Sequence, residues 1–290
     1  MIDRLPEPPS TTAARGTLVH AVLERLFDEP AACRTPQTAQ AMLAPLWERL
    51  VADEPELAGL FDDAEQRSDW FAGASVLLDR YFTLEDPSRL EPARREHAVQ
   101  AVLESGLLLR GYIDRLDVAA SGETRIVDYK TGTAPREEFE ARALFQMKFY
   151  AVVLWLTQQR VPALLQLMYL GNGEIVRYAP DEADLRATVR KIDALWQAIE
   201  RARATGDWRH RQSRLCEWCA HQAMCPAFGG TPPPLPERDG AGVAAQARVA
   251  DGAGVPHETG VPRETGVPAQ TGVPALAGVP YETGLAERDP

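Results

Sequence analysis

Lysine is scarce in this sequence. Of its 31 basic residues only three are lysines, at positions 130, 148 and 191, and the other 28 are arginines. A chain that uses arginine almost everywhere can keep a lysine where a compact ammonium group is needed. Basic residues are also outnumbered, since the 290 residues include 42 acids and the net charge is −11. This balance argues against a passive nucleic-acid coat, but not against an enzyme with a locally basic cleft.

Long apolar runs are missing as well. No segment approaches the roughly 20 apolar residues that a membrane-spanning helix needs. The first ten residues hold acids and prolines where a secretory signal would hold basic and then apolar residues. A chain of this length that is 45% hydrophobic can bury a full core in one or two domains. We therefore expect a soluble cytoplasmic protein with no membrane partner.

Cysteine is rare and unevenly placed. Three of the four cysteines form the pattern Cys216-x2-Cys219-x5-Cys225, followed by a proline. Such crowding suits a metal or cluster better than a cytoplasmic disulfide. Zinc and an iron–sulfur cluster both remain possible at this spacing. Three unrelated buried cysteines, the alternative, would leave the regular spacing unexplained.

The last sixty residues differ from the rest. Residues 231–290 contain ten prolines and nine glycines, and Gly-Val-Pro recurs every six residues from position 254 to position 278. A proline in every repeat blocks helices and central strands. A hexapeptide β-solenoid is the structured alternative, but it requires more apolar inward positions than these repeats offer. We predict a folded domain over residues 1–230 and a disordered tail over 231–290.

Apolar periodicity predicts an α/β fold around one mixed sheet. The order is helices, a three-strand meander, a helix, a hairpin and a closing helix. The predicted helices lie at 16–27, 37–52, 63–83, 138–157 and 181–204, and the predicted strands at 98–103, 107–118, 124–129, 164–170 and 175–179.

The most informative segment is GYIDRLDVAASGETRIVDYKTG, residues 111–132. With a turn at residues 121–122, Asp114 and Asp128 lie nearly opposite each other on antiparallel strands, where Cβ atoms are about 5 Å apart. Lys130 lies two residues beyond Asp128 and therefore projects from the same face. We expect the two carboxylates and the ammonium group to converge at the edge of an otherwise apolar sheet.

This convergence suits a divalent cation. Two carboxylates so close repel each other unless a cation bridges them. Mg²⁺ and Mn²⁺ take carboxylate and backbone oxygen ligands and retain waters for chemistry. Lys130 could orient an attacking water or stabilise charge on a scissile phosphate. The alternative is an ordinary surface Asp–Lys pair, because the pattern D-x-K is short and common.

Further polar residues share the order of these motifs. Gln146 and Tyr150 lie one helical turn apart on the helix after the hairpin, so they share a face. His20 lies on the first helix, beside its apolar stripe. A lone histidine or tyrosine is more often structural. Here, however, His, Asp, D-x-K and Q-x3-Y occur in one order, and that order matches a known family.

The chain resembles the RecB/AddB branch of the PD-(D/E)XK nuclease superfamily from about Gly16 to Phe228. The fold implied is a restriction-endonuclease-like core, with a helical part at about 16–90, a catalytic core at about 94–205 and a cysteine segment at 216–226. Each shared motif is weak, but all five in order are specific. They are GTLVH at 16–20, GYIDRLD at 111–117, DYKTG at 128–132, QMKFY at 146–150 and CEWCAHQAMCP at 216–226.

The resemblance implies a metal-dependent DNA exonuclease or nuclease subunit. Family members usually act in double-strand-break repair and recombination beside a helicase, or in CRISPR adaptation. No Walker A sequence (GxxxxGK[ST]) occurs in the chain, so it is not itself the motor. Two alternatives stay open: a catalytically inactive DNA-binding or scaffold module of the same fold, and a structural zinc-binding protein.

The resemblance also assigns roles to residues. Lys130 would serve the attacking water and the transition state. Gln146 and Tyr150 match the Q-x3-Y motif and would contact DNA or the active site. Glu96 matches a frequently acidic position and would add outer-sphere support. The implied ligands of Mg²⁺ or Mn²⁺ are His20, Asp114, Asp128 and the backbone carbonyl of Tyr129.

For the cysteines, the resemblance favours a [4Fe–4S] cluster on Cys216, Cys219 and Cys225, with zinc as the alternative. The family's remaining cluster cysteine precedes the His20 helix. The only other cysteine here, Cys33, follows that helix and is not expected to be a ligand. We therefore expect an incomplete cluster, whose fourth ligand has been lost or precedes the given start of the chain.

Overall fold

The computed structural model describes residues 8–134, 137–210 and 212–234. The tail predicted over 231–290 lies outside these ranges from residue 235 onward. None of the helices in the described ranges combines the length and the apolar character that crossing a membrane would take. Those helices are α1 (Thr11–Leu26), α2 (Pro36–Ala41), α3 (Leu43–Asp53), α4 (Ala64–Leu84), α5 (Glu137–Gln158) and α6 (Glu182–Thr205).

Five strands form one mixed sheet in the order β1-β2-β3-β4-β5. Strands β1, β2 and β3 form an antiparallel meander, β3 and β4 are parallel, and β4 and β5 form an antiparallel hairpin. Helix α5 makes the crossover that parallel strands require. The mixed sheet predicted from the sequence is thus confirmed. The strands are β1 (Arg94–Val102), β2 (Leu108–Val118), β3 (Thr124–Lys130), β4 (Leu164–Tyr169) and β5 (Glu174–Tyr178).

Helices α1 to α4 pack on one face of the sheet. Helix α1 begins after Ser10, whose side chain accepts a hydrogen bond from the Ala13 amide, an N-cap that satisfies one free backbone donor. The buried stripe of α1 meets the aromatic residues of α3 and α4. Fully burying one leucine contributes about 1.5–3 kcal/mol, so this stripe fixes α1 against the sheet. Its sheet partners are Val127, Tyr129, Met168 and Leu170.

Helices α5 and α6 cover the other face. Neighbouring residues of β3 therefore enter different cores: Ile126 packs with α5, whereas Val127 packs with α1 to α4. Both side chains have no exposed surface. Asp181 caps α6 by accepting a hydrogen bond from the Asp184 amide. Strand β3 is buried on both sides and lies at the centre of the sheet. Its C-terminal end therefore lies between the two helical layers.

The predicted boundaries differ from the structure at the second helix and at the first strand. The helix predicted over 37–52 is two helices, because Pro45 has no amide hydrogen to bond the carbonyl four residues earlier and the chain turns at Met42. Strand β1 begins at Arg94, before its apolar residues, because its polar start pairs with β2. The two predicted carboxylates lie on β2 and on the central strand β3, near the end of β3.

Candidate active site

Three carboxylates form a row across the first three strands. In the strand registers Arg115 pairs with Arg95 of β1 and with Val127 of β3. One residue after Arg95, one before Arg115 and one after Val127, each of these antiparallel strands carries an acid, and the three positions are level with one another. The predicted pairing of two carboxylates thus extends to a third. The row consists of Glu96, Asp114 and Asp128.

Glu96 has an unusual backbone conformation. Its φ is +40°, in the left-handed region that non-glycine residues seldom adopt in a strand. Such a conformation costs about 1–3 kcal/mol and persists where the surroundings enforce it, often at functional sites. The Glu96 carboxylate lies 3.9 Å from Nδ1 of His20, measured from Oε1. The strained residue is thus one that faces the other candidate ligands.

Helix α1 brings His20 to this row. Its Nε2 lies 2.8 Å from the carbonyl oxygen of Tyr129. Because a carbonyl oxygen only accepts, Nε2 carries the proton and donates it. Nδ1 then faces Oδ2 of Asp114 at 3.5 Å as well as Glu96. In a neutral ring this nitrogen presents a lone pair to two carboxylates, an arrangement that a cation between them would stabilise.

The donor set fits a divalent cation. His20, Glu96 and Asp114 each offer one ligand atom, and these atoms all lie within 4.8 Å of one another. In the described part of the chain they form the one such set of three. Carboxylates suit Mg²⁺ and Mn²⁺, and the imidazole nitrogen favours Mn²⁺ of the two. Glu96, predicted as outer-sphere support, lies in this set, whereas the predicted ligand Asp128 lies beside it.

The backbone of Tyr129 connects two members of the set. Its amide donates to Oδ2 of Asp114 at 2.7 Å, and its carbonyl accepts from His20. The carbonyl, predicted as a metal ligand, retains a second lone pair that a cation could use. The positions of Asp114 and His20 are therefore tied to one peptide segment at the end of β3.

Asp128 and Lys130 form an ion pair next to the set. The Lys130 Nζ lies 2.7 Å from Oδ2 of Asp128. It also donates to Oε1 of Gln146 at 3.0 Å, and Nε2 of Gln146 donates to the Tyr150 hydroxyl at 2.9 Å. The structure thus brings together every residue of the predicted D-x-K and Q-x3-Y motifs. A Cβ at Gly111 would lie 2.7 Å from the Tyr150 ring, so the glycine makes room for this tyrosine.

Burial changes the protonation of two acids in the row. Burial, and after it the negative charge of Asp114, raise the pKa of Asp128 to about 6, although Lys130 opposes both effects. Burial followed by the charge of Asp114 also raises the pKa of Glu96. Without a cation, these carboxyls therefore hold protons more readily than exposed ones do.

The raised pKa of Asp128 predicts a pH dependence of stability. An unfolded aspartate has a pKa near 3.9, so between about pH 4 and pH 6 the native state binds a proton that the unfolded chain releases. This contribution is present below pH 4 and is lost as the pH rises through 6. In EDTA, the wild type should lose about 2 kcal/mol of unfolding free energy relative to Asp128→Asn between pH 4.5 and 7.5. Urea unfolding at several pH values measures it, and parallel curves for the two proteins would contradict it.

The three clustered cysteines lie on short 3-10 turns after α6. The turns Arg214–Trp218 and Gln222–Met224 end at Cys219 and Cys225 respectively. Within the described ranges, no set of three ligand atoms as close as 4.8 Å includes a thiol. Cys33 is exposed on another turn, next to α1. The short turns match the Cys-x2-Cys spacing. In the described residues, however, the thiols are not as close together as the ligand atoms of His20, Glu96 and Asp114.

Comparison with known proteins gives one family. The model of the PD-(D/E)XK nuclease superfamily matches residues 1–226. Matching solved structures include a candidate exonuclease from Eubacterium rectale, 13% identical over 83% of this chain and 82% of that chain, with a TM-score of 0.47. Another is SSO0001, 15% identical over 73% of this chain and 96% of that chain, with a TM-score of 0.35. No curated protein matches the sequence.

Proposed function

Because the chain belongs to the PD-(D/E)XK nuclease superfamily, we propose that it is a RecB/AddB-type DNA nuclease that hydrolyses phosphodiester bonds with Mg²⁺ or Mn²⁺. The observation that carries this proposal is the meeting of His20, Glu96 and Asp114 beside the Asp128–Lys130 ion pair. A merely structural hairpin would not require a strained glutamate or a histidine nitrogen that faces two carboxylates.

The proposed metal ligands are His20, Glu96 and Asp114, with Asp128 and the Tyr129 carbonyl available beside them. A divalent cation held there supplies a Lewis acid for the scissile phosphate and lowers the pKa of a water that can attack it. The side chain of Asp114 is 12% exposed and that of His20 27% exposed. The ligands are therefore shielded from bulk water yet open to a substrate on one side.

Lys130 provides a positive charge beside these ligands. An ammonium group has three hydrogens; one bonds Gln146, and the ion pair directs another toward Asp128. The third can bond an attacking water or a phosphate oxygen, where it would stabilise the charge that develops in the transition state. Gln146 and Tyr150 hold the Lys130 Nζ in place, and the Tyr150 hydroxyl is available to the DNA backbone.

The wider proposal follows from the family branch. We propose an exonuclease that acts on DNA in the cytoplasm, with a helicase partner, in double-strand-break repair or recombination. The nuclease domain would span residues 1–230, separate from the repeat segment 231–290. Cys216, Cys219 and Cys225 would bind a [4Fe–4S] cluster, or zinc in its place, because their spacing and short turns suit one metal centre.

Metal removal and His20→Gln together test the proposed function. End-labelled linear DNA and circular DNA, single- and double-stranded, would be incubated with EDTA, Mg²⁺, Mn²⁺ or Ca²⁺. We expect cleavage of linear DNA with Mg²⁺ or Mn²⁺ and none with EDTA. Since His20→Gln removes the Nδ1 ligand, it should raise the Mn²⁺ concentration for half-maximal cleavage at least as much as an outer-sphere change does, which is about 10–100-fold.

His97→Gln is the matched control for that variant. His97 follows Glu96 on β1. It belongs neither to the metal set nor to the hydrogen-bonded group of Lys130, Gln146 and Tyr150. Its substitution should leave the Mn²⁺ requirement within about twofold of wild type, as expected for a site outside the chemistry. DNA binding without cleavage in any metal would contradict the proposal and support a non-catalytic module of the same fold.

A further inference from the structure

A buried arginine lies directly behind the candidate site. Arg115 follows Asp114 on β2, and its side chain is 1% exposed. Its guanidinium forms a two-pronged ion pair with Glu85, in which Nη2 donates to Oε2 at 2.9 Å. Nη1 also donates to the Tyr129 hydroxyl at 2.8 Å, and Nε lies 3.1 Å from Oδ1 of Asp117. Two carboxylates and a hydroxyl thus surround a charge that has no access to water.

Stability alone is a weak reason for this arrangement. Taking a charged pair out of water costs several kcal/mol per ion, and well-packed apolar residues often stabilise a core equally well. A planar guanidinium, however, fixes the direction of each partner that it bonds. The geometry of Arg115 is therefore informative about what its partners must hold in place.

The partner of interest is Tyr129. Its hydroxyl accepts from Arg115, and its ring centroid lies 5.7 Å from the guanidinium carbon. Its backbone amide donates to Asp114 and its carbonyl accepts from His20. Tyr129 thus connects the buried guanidinium of Arg115 with two of the three proposed metal ligands, His20 and Asp114.

We propose that Arg115 is a positioning residue for the metal site. Through the Tyr129 hydroxyl it fixes the end of β3, and the backbone of β3 then orients His20 and Asp114 toward the cation. Glu85, which follows α4, completes the link by holding the guanidinium against the sheet. The inference rests on the proposed metal-dependent function and adds a residue that does not itself touch metal or substrate.

Tyr129→Phe tests this link, because it removes only the hydroxyl that Arg115 bonds. The matched control is Tyr81→Phe, since the Tyr81 hydroxyl is also buried but forms no hydrogen bond with Arg115 or Tyr129. Mn²⁺ binding to the full chain, without DNA, would be measured by calorimetry, and unfolding by urea. We expect Tyr129→Phe to weaken Mn²⁺ binding about tenfold, as outer-sphere changes do, and Tyr81→Phe to leave it within twofold of wild type.

A second variant separates positioning from folding. Glu85→Gln keeps the size of the side chain but removes the charge that holds the guanidinium, so it should also weaken Mn²⁺ binding. Unchanged Mn²⁺ affinity in Tyr129→Phe and Glu85→Gln, even with lower stability, would overturn the inference. Equal weakening in Tyr81→Phe would overturn it too. Tight Mn²⁺ binding by the wild type with no DNA cleavage would instead refute the proposed nuclease function, so the two failures are distinct.

Discussion

Replacing Lys130 with methionine should lower the rate of DNA cleavage about a thousandfold at saturating Mn²⁺, the effect typical of losing one preorganised group at a developing charge. The Lys130 ammonium group lies 2.7 Å from Asp128 and is 30% exposed, so it is fixed yet accessible to substrate. DNA affinity should change much less, because the interaction is made mainly in the transition state. Single-turnover cleavage of labelled DNA and a binding assay in Ca²⁺ measure the two effects.

Two conditions make the comparison clean. Loss of Lys130 removes a charge that lowers the pKa of Asp128, and this pKa is already raised to about 6. The pKa of Asp128 should therefore rise further in the variant, so the two proteins should be compared at several pH values above 6. Lys191→Met is the control, because the Lys191 ammonium lies over the Phe145 ring, 4.7 Å from its centroid and outside the site. Equal cleavage rates for Lys130→Met and Lys191→Met would rule out the role given to Lys130.

The arrangement of the sheet could be predicted from local patterns. In strand β2 apolar and polar residues alternate, and the middle of strand β3 is an apolar run. The turn between them contains Gly122, which has a positive φ, as its place in the sequence suggests. Gly171 and Gly173 lie between β4 and β5, and Gly173 also has a positive φ. Register followed from the turn, so the closeness of Asp114 and Asp128 followed too.

The rest of the site depended on contacts that no local pattern contains. Glu96 lies in a polar stretch, and its alignment with Asp114 follows from the long β1–β2 register. The links from Arg115 to Glu85 and Tyr129 span 30 and 14 residues along the chain. An arginine within an apolar strand was the available signal, because a buried charge requires partners. The sequence could not identify which distant side chains those partners are.

The end of β3 is also held by a contact between two loops. The loop after β3 passes Gly132, and the loop after β4 passes Gly171, whose amide donates to the Gly132 carbonyl at 3.0 Å. Arg80 of α4 donates to the carbonyls of Leu170 and Gly171 and thereby ties the loop after β4 to α4. Lys130 is the last residue before the first loop, so its position depends on this contact.

Gly171→Ala should therefore reduce both stability and cleavage. An added Cβ would lie 2.3 Å from the Gly132 oxygen and 2.4 Å from its carbonyl carbon, and both are backbone atoms that cannot rotate away. The loops would have to separate and break their hydrogen bond, and forced overpacking of this kind typically costs about 1–3 kcal/mol. We expect a loss near 3 kcal/mol in urea unfolding and, because Lys130 shifts, a slower cleavage step.

Gly132→Ala is the matched control at the same contact. A Cβ at Gly132 would meet no atom within 4 Å, and its φ is not in the left-handed region. The control should therefore stay within about 0.5 kcal/mol of wild type and retain full cleavage, as surface changes usually do. If Gly171→Ala behaved like Gly132→Ala in both assays, the two loops would adjust to the added Cβ without moving Lys130, and the contact would not position it. If it lost stability alone, the contact would support the fold without setting the geometry of the site.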